Sequence, residues 1–278
     1  MQQYLDLIKI VMEKGEIKKD RTGTGTIGIP GAFLQFDLRE GYPILTTKRV
    51  AFKTMKTELD GFIKGISNKS WYSNQGCHIW DDWGNPKKVP YGTDEKSKEN
   101  MRLENDLGRI YGVQWRDWAG HIDQLKEAIE TLRKNPTDRR MMVIAWNPEE
   151  LDQMALPPCH FAFKLMSNGT HLDLSWHQRS CDLFLGIPFN IASYALLCHL
   201  IAKEVNLIPR FLCGHLDDVH IYLNHQNAVA EQLTRTPKSL PILKIEDRTN
   251  WSIFDWESSD TSLEGYDPYP TIKGEISV

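Results

Sequence analysis

The chain is predicted to adopt an α+β fold, and three stretches carry that prediction. Phe161 to Met166 and His171 to Gln178 are strand-like runs flanking Ser167-Asn168-Gly169-Thr170. Asn-Gly between two such runs signals a hairpin, because the tight turn needs a left-handed backbone that Gly and Asn tolerate. Ile191 to Val205 reads as a long, largely apolar helix suited to the centre of a fold. His121 to Lys134 sets Ile122, Leu125, Ile129 and Leu132 three or four residues apart, the period of an amphipathic helix. Antiparallel strands with segregated helices belong to the α+β class.

The other elements follow in order. Tyr4 to Glu13 places Leu7, Ile8 and Val11 at helical spacing. Thr22 to Pro30, rich in Gly and Thr, reads as a turn-bounded strand region, and Phe33 to Leu38 as a separate strand. Phe52 to Lys64 is a predicted helix. Asn85 to Asp106 carries Pro86, Pro90 and many charges and reads as a surface insertion. Met141 to Trp146 is a short strand candidate. Beyond the central helix come a strand near 211–216, a helix from Leu223 to Thr234 and a loop-rich tail. There is no internal repeat, and 1–278 is read as a single domain.

Composition narrows the function. A net charge of −4 supplies no general cation field, which argues against a polymer-binding role for nucleic acid but leaves room for a local arginine cluster. Five cysteines, at 77, 159, 181, 198 and 213, form no Cys-x-x-Cys, so neither a zinc site nor a disulfide framework is signalled. Reduced thiols fit a cytosolic protein. Met1 to Gly15 interrupts its apolar pattern with charges, unlike a signal peptide. No apolar run approaches a membrane span.

Several residues can carry chemistry, although each also has an ordinary structural reading. Cys159 follows two prolines just ahead of the hairpin, a stiff approach that can fix a thiol. A nucleophilic thiol needs nearby cations or hydrogen-bond donors to depress its pKa. Arg21, Arg139, Arg140 and Arg179 are the candidates, and guanidinium forks also hold phosphate bidentately. Asn190, before the long helix, reads either as a helix N-cap or as an amide whose donor and acceptor match O4 and N3–H of uracil. Glu58 lies in the helix 52–64. Trp80 and Trp83 bracket two aspartates and offer a flat apolar wall. His220 and Tyr222 alternate on a strand and share one face.

These pieces, in this order, resemble the thymidylate synthase family over nearly the whole chain. The matching segments are Arg21-Thr-Gly-Thr-Gly-Thr26, Pro43-Ile-Leu-Thr-Thr-Lys48, Ile79-Trp-Asp81, Tyr111-Gly-Val-Gln-Trp-Arg116, Asp138-Arg-Arg140, Pro158-Cys-His160, Gln178-Arg-Ser-Cys-Asp182, Leu185-Gly-Ile-Pro-Phe-Asn190, His220-Ile-Tyr222 and Gly265-Tyr-Asp-Pro-Tyr-Pro270. The resemblance implies a large mixed β-sheet whose face packs in a homodimer. It implies a methyltransferase converting dUMP to dTMP with 5,10-methylenetetrahydrofolate as carbon donor and reductant, and no metal. Cys159 would attack C6 of dUMP, Tyr111 would assist proton removal at C5, and Glu58 would organise water and proton transfers. Arg21, Gln178, Arg179 and Ser180 would hold the nucleotide, joined by Arg139 and Arg140 from the partner subunit. Asn190 would read uracil, and His220 and Tyr222 the deoxyribose. Asp182 would serve both ligands. Ile79, Trp80, Trp83, Leu185, Gly186 and Phe189, with Glu58, would line the folate pocket.

The chain departs from the common pattern in four places. Glu58-Leu59-Asp60-Gly61 stands where Glu-Leu-Leu-Trp is frequent, and Ala51 replaces a basic or aromatic residue. Leu216-Asp217-Asp218-Val219 precedes the His-x-Tyr pair, and the tail ends Glu275-Ile-Ser-Val278. These changes touch the folate side, so the runner-up reading is a dUMP hydroxymethylase on the same fold, in which water traps the transferred carbon. An intact Trp80 wall favours methylation. RNA binding alone is the reading left to a member lacking the nucleophile, which this chain retains.

Overall fold

The structure, a computed structural model, describes residues 1–90, 92 and 94–276. Its main sheet has six strands: β1 (Glu16–Lys18), β2 (Thr26–Asp37), β3 (Met142–Ile144), β4 (His160–Ser167), β5 (His171–Asp182) and β6 (Ile208–Tyr222). Their order across the sheet is β1-β2-β6-β5-β4-β3. The pair β5–β6 is parallel and every other pair antiparallel, so the sheet is mixed and the α+β expectation holds.

The helices are α1 (Gln2–Lys14), α2 (Phe52–Lys64), α3 (Lys69–Asn74), α4 (Glu95–Leu103), α5 (Tyr111–Arg116), α6 (Gln124–Lys134), α7 (Gly186–Glu204) and α8 (Gln226–Leu233). Helix α7 buries residues all around its circumference, from Ile187 to Ala202. A helix apolar on every side must be covered on every side, and α7 lies between β5 and β6 and helix α2. No described helix is long and apolar enough to cross a membrane.

Several boundaries differ from expectation. The two strand regions expected at 22–30 and 33–38 are one strand, β2. The register with β6 is the same on both sides of Gly31 (φ +72°), with Pro30 opposite Asp218 and Ala32 opposite Leu216. Continued pairing with β6 therefore carries the strand past both Pro30 and the left-handed glycine without ending it. Strand β6 runs well beyond 211–216 and includes His220 and Tyr222. Helix α7 starts at Gly186 with Leu185 as its cap residue, so Asn190 is not an N-cap; it lies inside the helix. The tail contains a two-stranded hairpin, β7 (Ile242–Ile245) with β8 (Thr261–Glu264). The stretch read as a surface insertion, 85–106, contains α4 and is tied down at its ends: Asn85 Nδ2 donates to Asp106 Oδ2 over 3.3 Å.

The departure at Gly61 has a packing explanation. A Cβ there would meet the Tyr72 ring at 2.2 to 2.4 Å. Tyr72 is fully buried and donates to Ile66 O at 2.9 Å. The neighbouring Asp60 is buried but pairs with Lys64 at 2.8 Å and accepts from Ser258 N at 2.9 Å. An aromatic ring from α3 thus fills space beside α2. Gly61→Ala is expected to lower stability by about 1–3 kcal/mol through overpacking, measured by urea unfolding. The same change in a Tyr72→Leu background is expected to cost less than the sum of the two single changes, because the clash is with that ring.

Candidate active site

The site forms where the chain ends of four adjacent strands meet. Strand β4 begins at His160, so Cys159 stands at its entrance. Antiparallel pairing sets His160 opposite Gln178. Parallel pairing then sets Ser180 beside Asp218 and Asp182 beside His220, and Thr26 pairs with Tyr222. Four segments distant in sequence therefore deliver Cys159, Arg179 and Ser180, His220 and Tyr222, and the Arg21 loop to one edge. They line a cleft of about 450 Å³ that also includes Trp83 and Ile276.

The Arg21 loop is shaped by Asp20. Its carboxylate accepts from the Thr22 hydroxyl at 2.6 Å and from Gly25 N at 2.7 Å. Burial acts to raise the Asp20 pKa, but these donors outweigh it and hold the group below its ordinary value. Gly25 O then accepts from Leu223 N, which fastens the loop to the end of β6.

Around Cys159 burial works against the donors that are placed there. Tyr111 Oη accepts the Cys159 backbone N–H at 2.9 Å. Arg179 donates to Pro158 O and Pro157 O, each at 2.9 Å, and its backbone N–H donates to Cys159 O at 2.9 Å. Burial pushes the thiol above its ordinary pKa, and Arg179, Tyr111 and Ser180 pull back only in part. Within one chain Arg179 is the arginine that acts on this thiol, and burial outweighs it. The reason is spatial: Arg140 is 87% exposed, paired with Asp138 at 2.6 Å, and it lines a different hollow beside Met141 and Met142. Arg139, its exposed neighbour, is likewise absent from the Cys159 cleft. His160, also adjacent, supplies no charge; burial lowers its pKa to about 3.

The remaining predicted residues build an adjoining wall. Tyr111 stacks on His160 at 4.3 Å and on Phe62 at 5.0 Å, and Trp80 meets Tyr111 edge-on at 6.1 Å. Burial raises the Glu58 carboxyl to about 7. Trp80 offsets part of that rise, although its buried indole N–H forms no hydrogen bond of full geometry, so burial dominates. Ile79 is 37% exposed. Leu185 and Phe189 are partly buried against the core. A Cβ on Gly186 would meet only Asp182 Cβ at 3.7 Å and Asn190 Oδ1 at 3.9 Å, so these three share an open surface. Asp182 Oδ1 accepts from Phe184 N and Leu185 N, which fixes the entry to α7. Gln178 is buried; its amide takes the Trp176 indole N–H at 3.2 Å and donates to Ser180 O at 2.9 Å and Asn190 Oδ1 at 3.1 Å. With Oδ1 engaged, the Asn190 amide orientation is set. His220 is held through Asp218 O at 3.0 Å and meets Tyr222 edge-on.

Sequence reading missed several residues here. Lys18, Asp20, Leu156, Asp218 and Ile276 also line the cleft. Lys48 was visible in a matched segment but given no role. Its ammonium donates to Phe184 O and sits 3.5 Å over the Phe184 ring. Burial lowers it to about 8, with Asp182 pulling the other way. Among the described residues, no group of three or more His, Cys, Asp or Glu is placed to hold a metal ion.

A half-buried cysteine beside an arginine, hydroxyls and an oriented amide, on a mixed α+β sheet, forms a site of the class that suits an anionic ligand bearing an amide-like polar edge. The family described as thymidylate synthase matches residues 2–278. The chain is 44% identical to the thymidylate synthases of Listeria innocua and of Listeria monocytogenes serovar 1/2a, in each case over 315 aligned positions covering all of both proteins. It is also 44% identical to the thymidylate synthase of Mycoplasma pneumoniae over 290 positions, again with full coverage of both. The chain belongs to the thymidylate synthase family, and its activity is methyl transfer to dUMP from 5,10-methylenetetrahydrofolate.

Two measurements probe this environment. Arg179→Ala is expected to push the Cys159 thiol higher still, slowing its alkylation by iodoacetamide at pH 7 by about ten-fold; an unchanged pH profile of alkylation would show that Arg179 does not act on the thiol. For Glu58, the folded pKa of about 7 lies above the ordinary 4.5. Its contribution to stability is thus fully present below pH 4.5 and lost as pH rises through 7. Glu58→Gln is expected to be more stable than the parent at pH 8, by about 1–3 kcal/mol, and no more stable at pH 4.5, by urea unfolding.

Proposed function

We propose that the cleft at the strand ends is where this reaction takes place, with Cys159 as the attacking thiol. The observation that carries the assignment is the convergence of Cys159, Arg21, Arg179, Ser180, His220 and Tyr222 on one cleft. The phosphate of dUMP meets Arg21, Arg179 and Ser180, and its sugar meets His220 and Tyr222. Asn190, held through Gln178, presents its amide to uracil, and a fixed amide discriminates the two edges of a pyrimidine. Cys159 Sγ adds to C6, and electron density moves to C5, which becomes the carbon nucleophile. Tyr111 stays protonated, since burial and the neighbouring thiol hold its pKa well above the ordinary value. It therefore works as a neutral hydroxyl that relays a proton. Glu58, near neutrality, can both give and take one.

The folate fits the adjoining surface. The Trp80 ring is buried beside Tyr111 and Phe62, and the Gly186 face is open toward Asp182 and Asn190. These features, with Trp83, Leu185, Phe189 and the exposed Ile79, suit a flat group with a polar edge. Bound there, the folate supplies one carbon and the hydride that reduces it. Trp80 and Phe189 exclude water from the transfer, which favours the methyl over the hydroxymethyl product.

We also propose that two copies of the chain associate through the sheet face opposite α7. That face leaves Phe33 55% exposed and carries the ring row Phe33, His215, His177 and Phe161 across four strands. Association would let Arg139 and Arg140 enter the partner's cleft and add their positive charge to that of Arg21 and Arg179 beside its thiol. Five free cysteines are consistent with a reducing, cytosolic setting.

Cys159→Ser is expected to abolish turnover while dUMP still binds. Product analysis of the parent protein is expected to give dTMP and dihydrofolate; 5-hydroxymethyl-dUMP with tetrahydrofolate would replace the methylating reading by the hydroxymethylating one.

A further inference from the structure

Lys69 is an unusual lysine. It is only 4% exposed, and its ammonium donates to four backbone carbonyls: Asp81 O at 3.1 Å, Trp83 O at 2.7 Å, Met101 O at 2.8 Å and Arg102 O at 2.9 Å. An ammonium has three protons, so one is shared. Two of the carbonyls belong to the segment that carries Trp80 and Trp83. The other two lie at the C-terminal end of α4, where unpaired carbonyls concentrate negative charge. Close packing reinforces the junction: a Cβ on Gly84 would meet Met101 O at 2.6 Å and Glu104 Cβ at 2.8 Å. On the surface, Arg102 Nε donates to Asp82 Oδ1 at 2.9 Å. Behind it, Arg21, Trp83, Lys98 and Met101 enclose a small cavity.

We propose that Lys69 is a positioning residue for the folate, acting through the 79–83 segment, and that the 85–106 stretch completes its carbonyl cage. This rests on the assignment of Trp80 and Trp83 to the folate. A buried cation satisfied by carbonyls from two segments locks them together, since separating them strands the charge. The 79–83 segment has little regular structure of its own to hold it. Lys69 replaces that support from below, and α4 provides half of the oxygens.

The test is Lys69→Met, which keeps the unbranched side chain as far as Cε and removes the ammonium. Hydrogen exchange in 79–84 and in α4 is expected to accelerate at least about ten-fold while α7 is unchanged, the signature of local rather than global loosening. The KM for methylenetetrahydrofolate is expected to rise about ten-fold, with kcat and the KM for dUMP within about three-fold of the parent. Uniform acceleration that includes α7, or an unchanged folate KM, would overturn the proposal. Should Lys69→Met fail to fold, Asp94→Ala serves instead. Asp94 is an exposed cap whose carboxylate accepts from Ser97 N and the Ser97 hydroxyl, so its loss frays α4. The folate KM is then expected to rise about two- to three-fold, and no change would refute the role of α4. Trp80→Ala separates the two ideas. If it leaves the folate KM unaltered, the folate assignment fails; if it raises that KM while Lys69→Met does not, Lys69 alone is refuted.

Discussion

The site depends on the way Arg179 is held. Its guanidinium is occupied by the carbonyls of Pro157 and Pro158, and its backbone N–H by that of Cys159. Because prolines have no N–H and a fixed φ, the approach to Cys159 has few conformations to lose when these bonds form. One side chain thus couples the entrance of β4 to the interior of β5 and sets the cation and the thiol at fixed separation. Everything else in the cleft is organised relative to that pair. Tyr111 reaches the Cys159 N–H from α5, and Ser180 follows Arg179 along the same strand.

The parallel β5–β6 pair extends that frame. Parallel strands need a long crossover, and here α7 provides it, beginning at Gly186 immediately after Asp182. The same helix that fills the core therefore carries Asn190 in its opening turns and leaves Gly186 bare beside Asp182. Core packing and base reading are properties of one element. Burial that stabilises this centre also sets its chemistry: it holds the thiol and Glu58 toward their neutral forms and keeps His160 uncharged. In such surroundings a charge brought by a ligand or a partner acts with little screening.

How far the sequence anticipated this depends on the range of the interactions involved. The hairpin at Asn168-Gly169, helix α2 and the apolar helix α7 are local patterns, and they were legible. The continuity of β2 across Pro30 and Gly31 was not, because proline and a left-handed glycine normally end a strand; pairing with β6 sustains it. Helix α5 has only six residues and no side-chain cap, and was recognised as a motif rather than an element. The convergence of Arg21, Cys159, Arg179 and Tyr222 is set by strand order, which no local pattern encodes. It was reached through resemblance to a family. Lys69 had no signal, since what distinguishes it is four carbonyls from segments 12 to 33 residues away.

A motif comparison also misjudges where substitutions matter. Gly61, in place of a frequent tryptophan, reads as a loss on the folate side, yet Tyr72 occupies the adjacent space from another helix. The space beside Gly61 is filled from α3, and close packing responds to volume rather than to which position supplies it. The arginines present the opposite case. Arg139 and Arg140 match the family in identity, yet in one chain they lie away from the thiol, which burial leaves above its ordinary pKa. If association brings the partner's arginines to the cleft, then the ionisation of Cys159 is a property of the assembly and not of the subunit. Sheet-face packing and thiol activation would then be one thermodynamic event: whatever charge stabilisation the thiolate gains from the partner must equally favour the associated state.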